Sequence, residues 1–592
     1  MHKNLASRAM LAMKHPRRMH LQTLLLTVPV VVFVILGWHM RWIVDDGFIY
    51  LRVVEMVTSG HGPVFNIGER VEAFTGPLWL AILVLAELLI PLRLEWLAVT
   101  LGLGLSAAGI VMAISGAATL TRLYAPGAWL LPFGVLVPVG IAGAWLFATS
   151  GLESGLVTGW LGACMLLLAR WAGSGQRLPL YGAVIIGLGW LVRPELALHS
   201  ALFISLVIIM QWPRDTWGGR LTTLAAAAAL PVAYQIFRMG YYGAIIANSA
   251  IAKDASRTQW DNGWAYLVDL ISPYWLWLPL LLLVVGGYIP LILGLLRTAN
   301  YRALVVTGAF VLVGLLHGTY ITASGGDWMH ARLLLPALYA LVMPVAVIPI
   351  IRAHALAWLL VPWVVVSIFT LRPDNVVPWV PTSTPVSWDW PNHVLVEHRG
   401  WGDGVWQRRS WYEGEGFYYD RAFAMRFIRL ELDDFSEYVR LPAAAIGGIG
   451  ASGYGLGPGW QIIDLWGLAH HISGRMISTP TRYNQPRLPG HEKPLPNVWL
   501  IAIIAPEGVY PNPRTLPWRS NPLIPHSDGD EFRGQVASAR QALTCPALRE
   551  LLAAVSAPLT VQRFVDNFTG AWARTRLTIP PDPHEAREKF CG

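Results

Sequence analysis

Residues 42–62 read WIVDDGFIYLRVVEMVTSGHG, and they follow closely on an apolar run from Leu21 to Leu36. A run of this kind, with its flanking residues, is long enough for a helix to cross the hydrocarbon core of a bilayer. Asp45 and Asp46 then place two carboxylates close to the lipid boundary, where a charge is costly unless it is paired or used. The stretch therefore predicts a membrane helix followed at once by an acidic loop at the membrane surface.

The composition of the whole chain also indicates a membrane protein. Of its 592 residues, 54% are hydrophobic and 14% are charged, and the mean hydropathy is +0.47; soluble domains carry about 25% charged residues. The net charge of +8 is modest, and no long Lys/Arg run follows the N-terminus, so nucleic acid is not expected as a partner. The three cysteines have neither zinc nor redox spacing. Cys545 and Cys591 could pair in an oxidising compartment, but sequence alone does not supply the geometry.

The first apolar run is expected to be a retained helix, because no small-residue cleavage site follows it. Apolar runs occur at about 22–40, 77–92, 94–118, 128–149, 151–172, 179–192, 196–212, 219–238, 272–296, 303–320, 332–351 and 354–371. The basic N-terminus and the short basic loops at 172–178, 211–220, 297–302 and near Arg352 should lie inside. The first loop and the C-terminal region then lie outside. This requires an odd number of spans, and we expect eleven, with one run between 77 and 149 broken, re-entrant or doubled.

Two domains are predicted from the change in composition near residue 373. Residues 1–372 should form a polytopic α-helical membrane domain, in which loop 41–76 carries the acidic motif. Residues 373–592 should form a soluble periplasmic domain. Its short β-like runs at 441–453 and 497–505 indicate an α/β or β-rich fold. The Trp and Tyr residues between 379 and 419 suit contact with sugar rings, although a Trp-rich core or a belt at the membrane interface is the alternative.

Acidic and basic residues from distant loops converge on the predicted outer face. The first loop contributes Asp45, Asp46, His61, Asn66 and Glu72, and later loops contribute Glu153, Arg193, Lys253, Arg257, Asp327, Trp328, His330 and Arg332. Each has a structural alternative: arginines snorkel, loop histidines are mostly structural, and the aspartates could cap an amphipathic helix that lies in the interface. Capping accounts for one aspartate, but not for two carboxylates with several cations around them.

One chemistry explains this pattern. A polyprenyl-phosphate sugar keeps its tail in the bilayer and its phosphate at the surface, so transfer needs cations or a metal on the phosphate and a carboxylate at the sugar or the acceptor hydroxyl. We predict Asp45 and Asp46 as the catalytic pair, and either could hold a divalent cation. The predicted phosphate ligands are Arg193, Lys253, Arg257, His330 and Arg332. The predicted sugar-binding residues are His61, Asn66, Glu72, Glu153, Asp327 and Trp328.

Four strings carry a family resemblance: NIGERVEAFTGPLW (66–79), SGLES (150–154), GGDWMHARLLLP (325–336) and IIDLWGLAHHISGR (462–475). With the acidic first loop, they make the chain resemble the actinobacterial arabinofuranosyltransferases of the GT-C superfamily over nearly its whole length. The resemblance implies decaprenyl-phosphoryl-arabinofuranose as donor and the arabinan of arabinogalactan or lipoarabinomannan as acceptor. It also implies a β-(1→2) linkage and a periplasmic active site in the plasma membrane. Because donor and product would both be β-linked, transfer would retain configuration. Two carboxylates permit either a covalent intermediate or attack from the same face.

Two other functions stay open at the level of sequence. A mannosyltransferase that uses polyprenyl-phosphomannose would need the same kind of site. A transporter would need a polar path through the membrane. The chain shows no obvious internal repeat, and its charged residues cluster at the predicted outer face rather than in the middle of the membrane. Both features disfavour transport.

Overall fold

The computed structural model describes residues 16–39, 41–212, 215–253, 258–327, 329–350, 357–369, 443–446, 448–478, 493–505 and 529–592. Up to residue 369 these residues are mainly helical, with α1 (Pro16–His39), α2 (Asp45–Thr58), α3 (Pro77–Leu89), α4 (Leu94–Arg122), α5 (Leu136–Gly140), α6 (Ala142–Phe147), α7 (Ser154–Ser174), α8 (Leu180–Gly187), α9 (Gly189–Val192), α10 (Ala197–Gln211), α11 (Trp217–Tyr242), α12 (Asn248–Ala252), α13 (Trp260–Ile271), α14 (Trp277–Leu283), α15 (Ile289–Arg297), α16 (Tyr301–Ala323), α17 (Leu335–Val342) and α18 (Leu360–Phe369).

Two small sheets accompany the helices. Strands β1 (Leu130–Leu131) and β2 (Ile348–Pro349) pair antiparallel. Strands β3 (Ala443–Ile446) and β4 (Gln461–Asp464) pair parallel, with Ala443 opposite Gln461. The C-terminal helices are α19 (Ile449–Leu456), α20 (Asn497–Ile504), α21 (Asp530–Thr544), α22 (Pro546–Ser556), α23 (Val561–Arg576) and α24 (Pro583–Cys591).

Six helical stretches of the described chain are long and apolar enough to cross a bilayer. They are His20–His39, Leu94–Arg122, Ser154–Ser174, Pro194–Gln211, Trp277–Arg297 and Tyr301–Ala323, and shorter apolar helices lie at 77–89, 180–192, 335–345 and 357–369. This pattern agrees with the expected polytopic membrane protein. The total of eleven spans stays a prediction, because the shorter helices do not identify themselves as spans by length.

The apolar run at 128–149 does not form one helix. It is divided into β1, the five-residue helix α5 and the six-residue helix α6. Pro132 and Pro138 lie within the run, and proline removes a backbone donor and clashes with the preceding turn. This is the broken run that we expected between 77 and 149.

Three of the four loops that were expected inside share one end of the bundle. The Arg302 guanidinium donates to the Gln176 carbonyl over 3.1 Å, and Arg177 forms an ion pair with Asp215 at 3.1 Å. These contacts join loops 172–178, 211–220 and 297–302, as the charge pattern requires.

Helices α4 and α7 form the most extensive helix pair among the described residues, and their contact depends on glycine. A Cβ atom added to Gly155 would lie 2.1 Å from the Gly102 carbonyl oxygen, and one added to Gly162 would lie 2.1 Å from the Gly109 oxygen. The spacing of seven residues on both helices repeats the contact every two turns. Small residues let helix backbones meet in this way inside membranes. The contact places the N-terminus of α7, and therefore Glu153, close to the end of the bundle that carries the acidic loop.

One structural alternative and one expectation about local structure were wrong. Helix α2 does not lie in the lipid interface, because Phe48, Leu51 and Val54 are fully buried in protein. Its N-cap is Val44, so neither aspartate caps its own helix. The run 497–505 was expected as a strand, but residues 497–504 form α20. A short, largely apolar run has no periodicity that separates a strand from a buried helix.

The described C-terminal part has its own small core, in which α20 packs against α21 through fully buried residues such as Trp499 and Val536. A disulfide joins Cys545 to Cys591, 46 residues apart, and it ties the end of α24 to the α21–α22 junction. The domain boundary that we placed at 373 lies outside the described residues. Within the described residues this part is mostly helical with one two-stranded parallel sheet, and its fold type stays a prediction.

Candidate active site

Asp46 faces an arginine that comes from the other half of the membrane domain. Asp46 lies in the first turn of α2, and its Oδ2 is 3.5 Å from Nη1 of Arg332. The Nε of Arg332 donates to Asp327, so one guanidinium bridges two carboxylates. Burial opposes the charge on Arg332, but Asp327 and then Asp46 outweigh that effect and raise its pKa. The group is therefore a permanent cation at this position.

The loop that carries Arg332 has an unusual backbone. Gly325, Gly326 and Ala331 all have positive φ, and Ala331 at 63° is a position where a side chain costs energy. The Tyr266 hydroxyl donates to the Met329 carbonyl over 2.9 Å and accepts from the Leu333 amide over 3.1 Å. One buried phenol thus fixes the two sides of the turn that presents Arg332.

A second arginine holds two more carboxylates. Arg193 donates from Nη1 to Glu153 over 2.5 Å and from Nε to Glu195. Arg193 has extended backbone angles, as expected for a residue before proline. The Tyr50 hydroxyl donates to Glu153 over 2.9 Å and accepts from the Gly76 amide over 2.8 Å. Glu153 is therefore oriented from both sides.

These groups form one electrostatic cluster. Arg193 and Glu153 also act on the charge of Arg332, so both arginines share one field with Asp46. Four carboxylates surround two guanidiniums in this described cluster, namely Asp46, Glu153, Glu195 and Asp327 around Arg193 and Arg332. An excess of carboxylate suits a reaction in which positive charge develops on a sugar ring. Each guanidinium has five N–H donors, and these contacts do not use them all.

Asp45 is engaged elsewhere. Its Oδ1 accepts from the Ala451 amide over 2.9 Å and its Oδ2 accepts from the Gly450 amide over 3.1 Å. Both amides belong to the first turn of α19, so the carboxylate caps a helix from the C-terminal part of the chain. The two neighbouring aspartates therefore point to different partners.

Several predicted sugar ligands lie in a different part of the structure. Glu72 accepts two hydrogen bonds from Arg238, at 2.7 and 3.0 Å, and one from Tyr234 at 2.7 Å. Asn66 pairs through its side chain with both backbone groups of Ile462, at 2.8 and 3.0 Å. His61 is exposed on the loop surface. Glu72 and Asn66 therefore fasten the first loop to α11 and to β4.

The remaining predicted ligands differ in how they are placed. Both ring nitrogens of His330 are engaged, Nδ1 at 2.6 Å from Asp269 and Nε2 at 3.1 Å from the Tyr274 hydroxyl. Lys253 is half-buried at the end of α12. Arg257, Trp328 and the aromatic stretch 379–419 lie outside the described residues.

An apolar groove lies near the cluster. It has a volume of about 350 Å³ and runs between α3 and α11, with Leu80, Ala81, Leu88 and Phe237 in its walls. Phe74 and Pro77 also line it. Pro77 follows Gly76, whose amide donates to Tyr50, and Tyr50 donates to Glu153. The groove therefore runs along the apolar helix α3 and approaches the cluster through Tyr50.

Sequence reasoning missed several residues that build the site. They include Tyr50, Tyr266 and Asp269, and His317, whose Nε2 is 3.1 Å from the Leu333 carbonyl. A signal existed for His317, because an ionisable residue inside an apolar run is a candidate for a role. Tyr50, Tyr266 and Asp269 carry no such signal. In the described residues no three His, Cys, Asp or Glu side chains are arranged to hold a metal ion.

Comparison with known proteins identifies the family. No family model and no solved structure match the chain. The terminal β-(1→2)-arabinofuranosyltransferase of Corynebacterium glutamicum is 32% identical, over 94% of this chain and 85% of that protein. The enzyme of that name from Mycobacterium tuberculosis is also 32% identical, over 92% of this chain and 94% of its own length. The chain therefore belongs to the terminal β-(1→2)-arabinofuranosyltransferase family and is a glycosyltransferase.

Proposed function

We propose that this glycosyltransferase moves arabinofuranose from decaprenyl-phosphoryl-arabinofuranose to the ends of cell-wall arabinan, in arabinogalactan or lipoarabinomannan, and forms β-(1→2) linkages. The observation that carries the proposal is the cluster of Asp46, Arg332, Glu153 and Arg193 at the ends of membrane helices. A lipid-linked donor presents its phosphate and sugar at that depth. The apolar groove between α3 and α11 suits one part of the isoprenoid chain.

In this proposal the residues have separate tasks. The unused N–H groups of Arg193 and Arg332 stabilise the leaving phosphate as its charge develops. Asp46 acts on the sugar side, where the carboxylate excess stabilises positive charge on the ring. Retention follows either from a covalent ester at Asp46 or from same-face attack, in which the acceptor hydroxyl gives its proton to the departing phosphate.

The proposed location is the plasma membrane, with the N-terminus inside, an odd number of spans, and the site and C-terminal part in the periplasm. The disulfide Cys545–Cys591 supports this side, because disulfides persist in oxidising compartments. Exposed Ser556 and Ser174 provide a matched test, each changed to cysteine. In intact cells an impermeant thiol reagent should label position 556 and not position 174; the reverse result would invert the topology.

The function is tested with purified protein, labelled decaprenyl-phosphoryl-arabinofuranose and a synthetic arabinan acceptor. We expect transfer to the acceptor end, with a new β-(1→2) linkage on methylation analysis. Polyprenyl-phosphomannose serves as the competing donor. Preferential transfer of mannose would replace the proposal with a mannosyltransferase, and absence of transfer from either donor would refute it.

A further inference from the structure

Two adjacent carboxylates at the start of α2 have different surroundings. Both oxygens of Asp45 accept backbone amides from α19, at 2.9 and 3.1 Å. The Asp46 side chain keeps 17% of its surface exposed and faces Arg332. One carboxylate is therefore used by the fold, and the other opens to the charged cluster.

The same helix also clamps the other end of α19. Arg52 is fully buried and donates to the carbonyls of Gly453, Gly457 and Trp460, the last two over 2.9 and 2.7 Å. Burial lowers its pKa to about 10, so it stays charged at neutral pH. Asp45 places a negative charge at the partially positive N-terminus of α19, and Arg52 places a positive charge at its partially negative C-terminus. Both charges therefore interact favourably with the helix dipole.

The spacing of the two clamps matches. Asp45 and Arg52 are seven residues apart in α2. Their partners Gly450, in the first turn of α19, and Gly457, the C-cap of α19, are also seven residues apart. Seven helical residues span about 10.5 Å, so the two segments run side by side in the same direction. The register of α2 against α19 is therefore set at both ends by charge.

Glycine makes this close approach possible. A Cβ atom on Gly450 would lie 1.7 Å from the Asp45 carbonyl oxygen, and one on Gly453 would lie 3.1 Å from Cδ of Arg52. The sequence IGGIGASGYGLG (446–457) supplies small residues along this face. A side chain at Gly450 would push α19 off the start of α2.

We propose that Asp45 is a positioning residue that docks α19 on the start of α2, and that Asp46 alone of the pair acts on the sugar. This inference rests on the proposed function for the role of Asp46. The docking of α19 does not depend on it. The C-terminal part thereby holds the first turn of α2, and so fixes where Asp46 meets Arg332.

The test measures docking and turnover separately. Hydrogen exchange reports the protection of residues 449–456, and initial rates with labelled donor report kcat. Asp45→Asn keeps an acceptor oxygen for the α19 amides and is expected to lose no more than about fivefold in kcat. Asp45→Ala should speed exchange at least tenfold and lower kcat at least tenfold. Asp46→Asn should lower kcat at least 100-fold with exchange unchanged.

Gly450→Ala provides a second variant, because it adds no functional group and acts only by displacing α19. It should reproduce both effects of Asp45→Ala. Asp582→Ala is the matched control, since Asp582 caps α24 by accepting the His584 amide over 2.7 Å; it should change exchange near residue 584 and not at 449–456. The inference would be overturned if Asp45→Asn lowered kcat as much as Asp46→Asn does while hydrogen exchange at 449–456 stayed unchanged. If the variants change hydrogen exchange at 449–456 as expected but the parent protein transfers no arabinose, the proposed function is refuted instead.

Discussion

Removal of the Arg332 cation should cost this enzyme most of its turnover. Arg332→Gln deletes the charge that lies 3.5 Å from the Asp46 carboxylate and also bridges Asp327. Coulomb's law gives about 5 kcal/mol for unit charges at that distance and an effective dielectric constant of about 20. Water that reaches the 17% exposed Asp46 side chain weakens this interaction, and we take about 2–4 kcal/mol as the loss in the transition state. At about 1.36 kcal/mol for each factor of ten, kcat/KM should fall about 30- to 1,000-fold.

The assay compares three variants by initial rates and by separate donor binding. Arg332→Lys keeps the charge but not the planar fork that spans two carboxylates, and it should lose about tenfold. Arg297→Gln is the control, because Arg297 is exposed at the opposite end of the bundle; it should leave the rate unchanged. The reasoning is refuted if Arg332→Gln folds, by circular dichroism and size exclusion, and keeps kcat/KM within threefold of the parent.

Three other outcomes follow from features of the structure. Ala81→Trp fills the apolar groove and should raise KM for the lipid donor at least fivefold. Leu89 is exposed on the same helix but outside the groove, so Leu89→Trp should leave KM unchanged. Equal effects of the two variants would rule out the groove as a site for the lipid tail. Burial raises the pKa of Asp464 from its usual 3.8 to about 7, so the folded chain holds a proton that the unfolded chain loses. As pH rises from about 4 to about 7, the C-terminal part should therefore lose about 4 kcal/mol of stability. In Asp464→Asn the melting temperature of this part should depend less on pH over that range. A pH dependence as steep as that of the parent would contradict this. Reduction of Cys545–Cys591, which closes a loop of 46 residues, should lower the free energy of unfolding of α21–α24 by about 4 kcal/mol in the chain-entropy treatment, and unchanged melting under reductant would count against it.

The sequence was sufficient to predict a mainly helical, polytopic membrane protein and the helix that begins at the acidic first loop. Apolar runs predict helices because backbone groups in lipid must be satisfied within the segment, and the six long helices agree with them. The residues Asp46, Glu153, Arg193, Asp327 and Arg332 were all selected from charge near a predicted membrane boundary, and they do come together. The cost of charge beside lipid is a local property, and sequence shows it directly.

Contacts between residues that lie far apart in the chain could not be predicted from the sequence. Asp45 meets Gly450, and Asn66 meets Ile462, each about 400 residues away. No spacing rule connects such positions. Glu72 illustrates the same limit, because a carboxylate beside a predicted site could equally bind sugar or neutralise an arginine, and only the position of Arg238 at 2.7 Å favours the second role.

Backbone contacts also form one wall of the cluster that contains Asp46 and Glu153. Gly47 follows Asp46, and a Cβ atom there would lie 2.6 Å from the Ser150 carbonyl oxygen. Gly155 follows Glu153 by two residues and meets Gly102 in the same way. The main-chain segments that bear Asp46 and Glu153 therefore lie directly against neighbouring backbone at Gly47 and Gly155, where no Cβ atom intervenes. That wall is therefore a fixed boundary of the cluster, set by backbone atoms rather than by side chains.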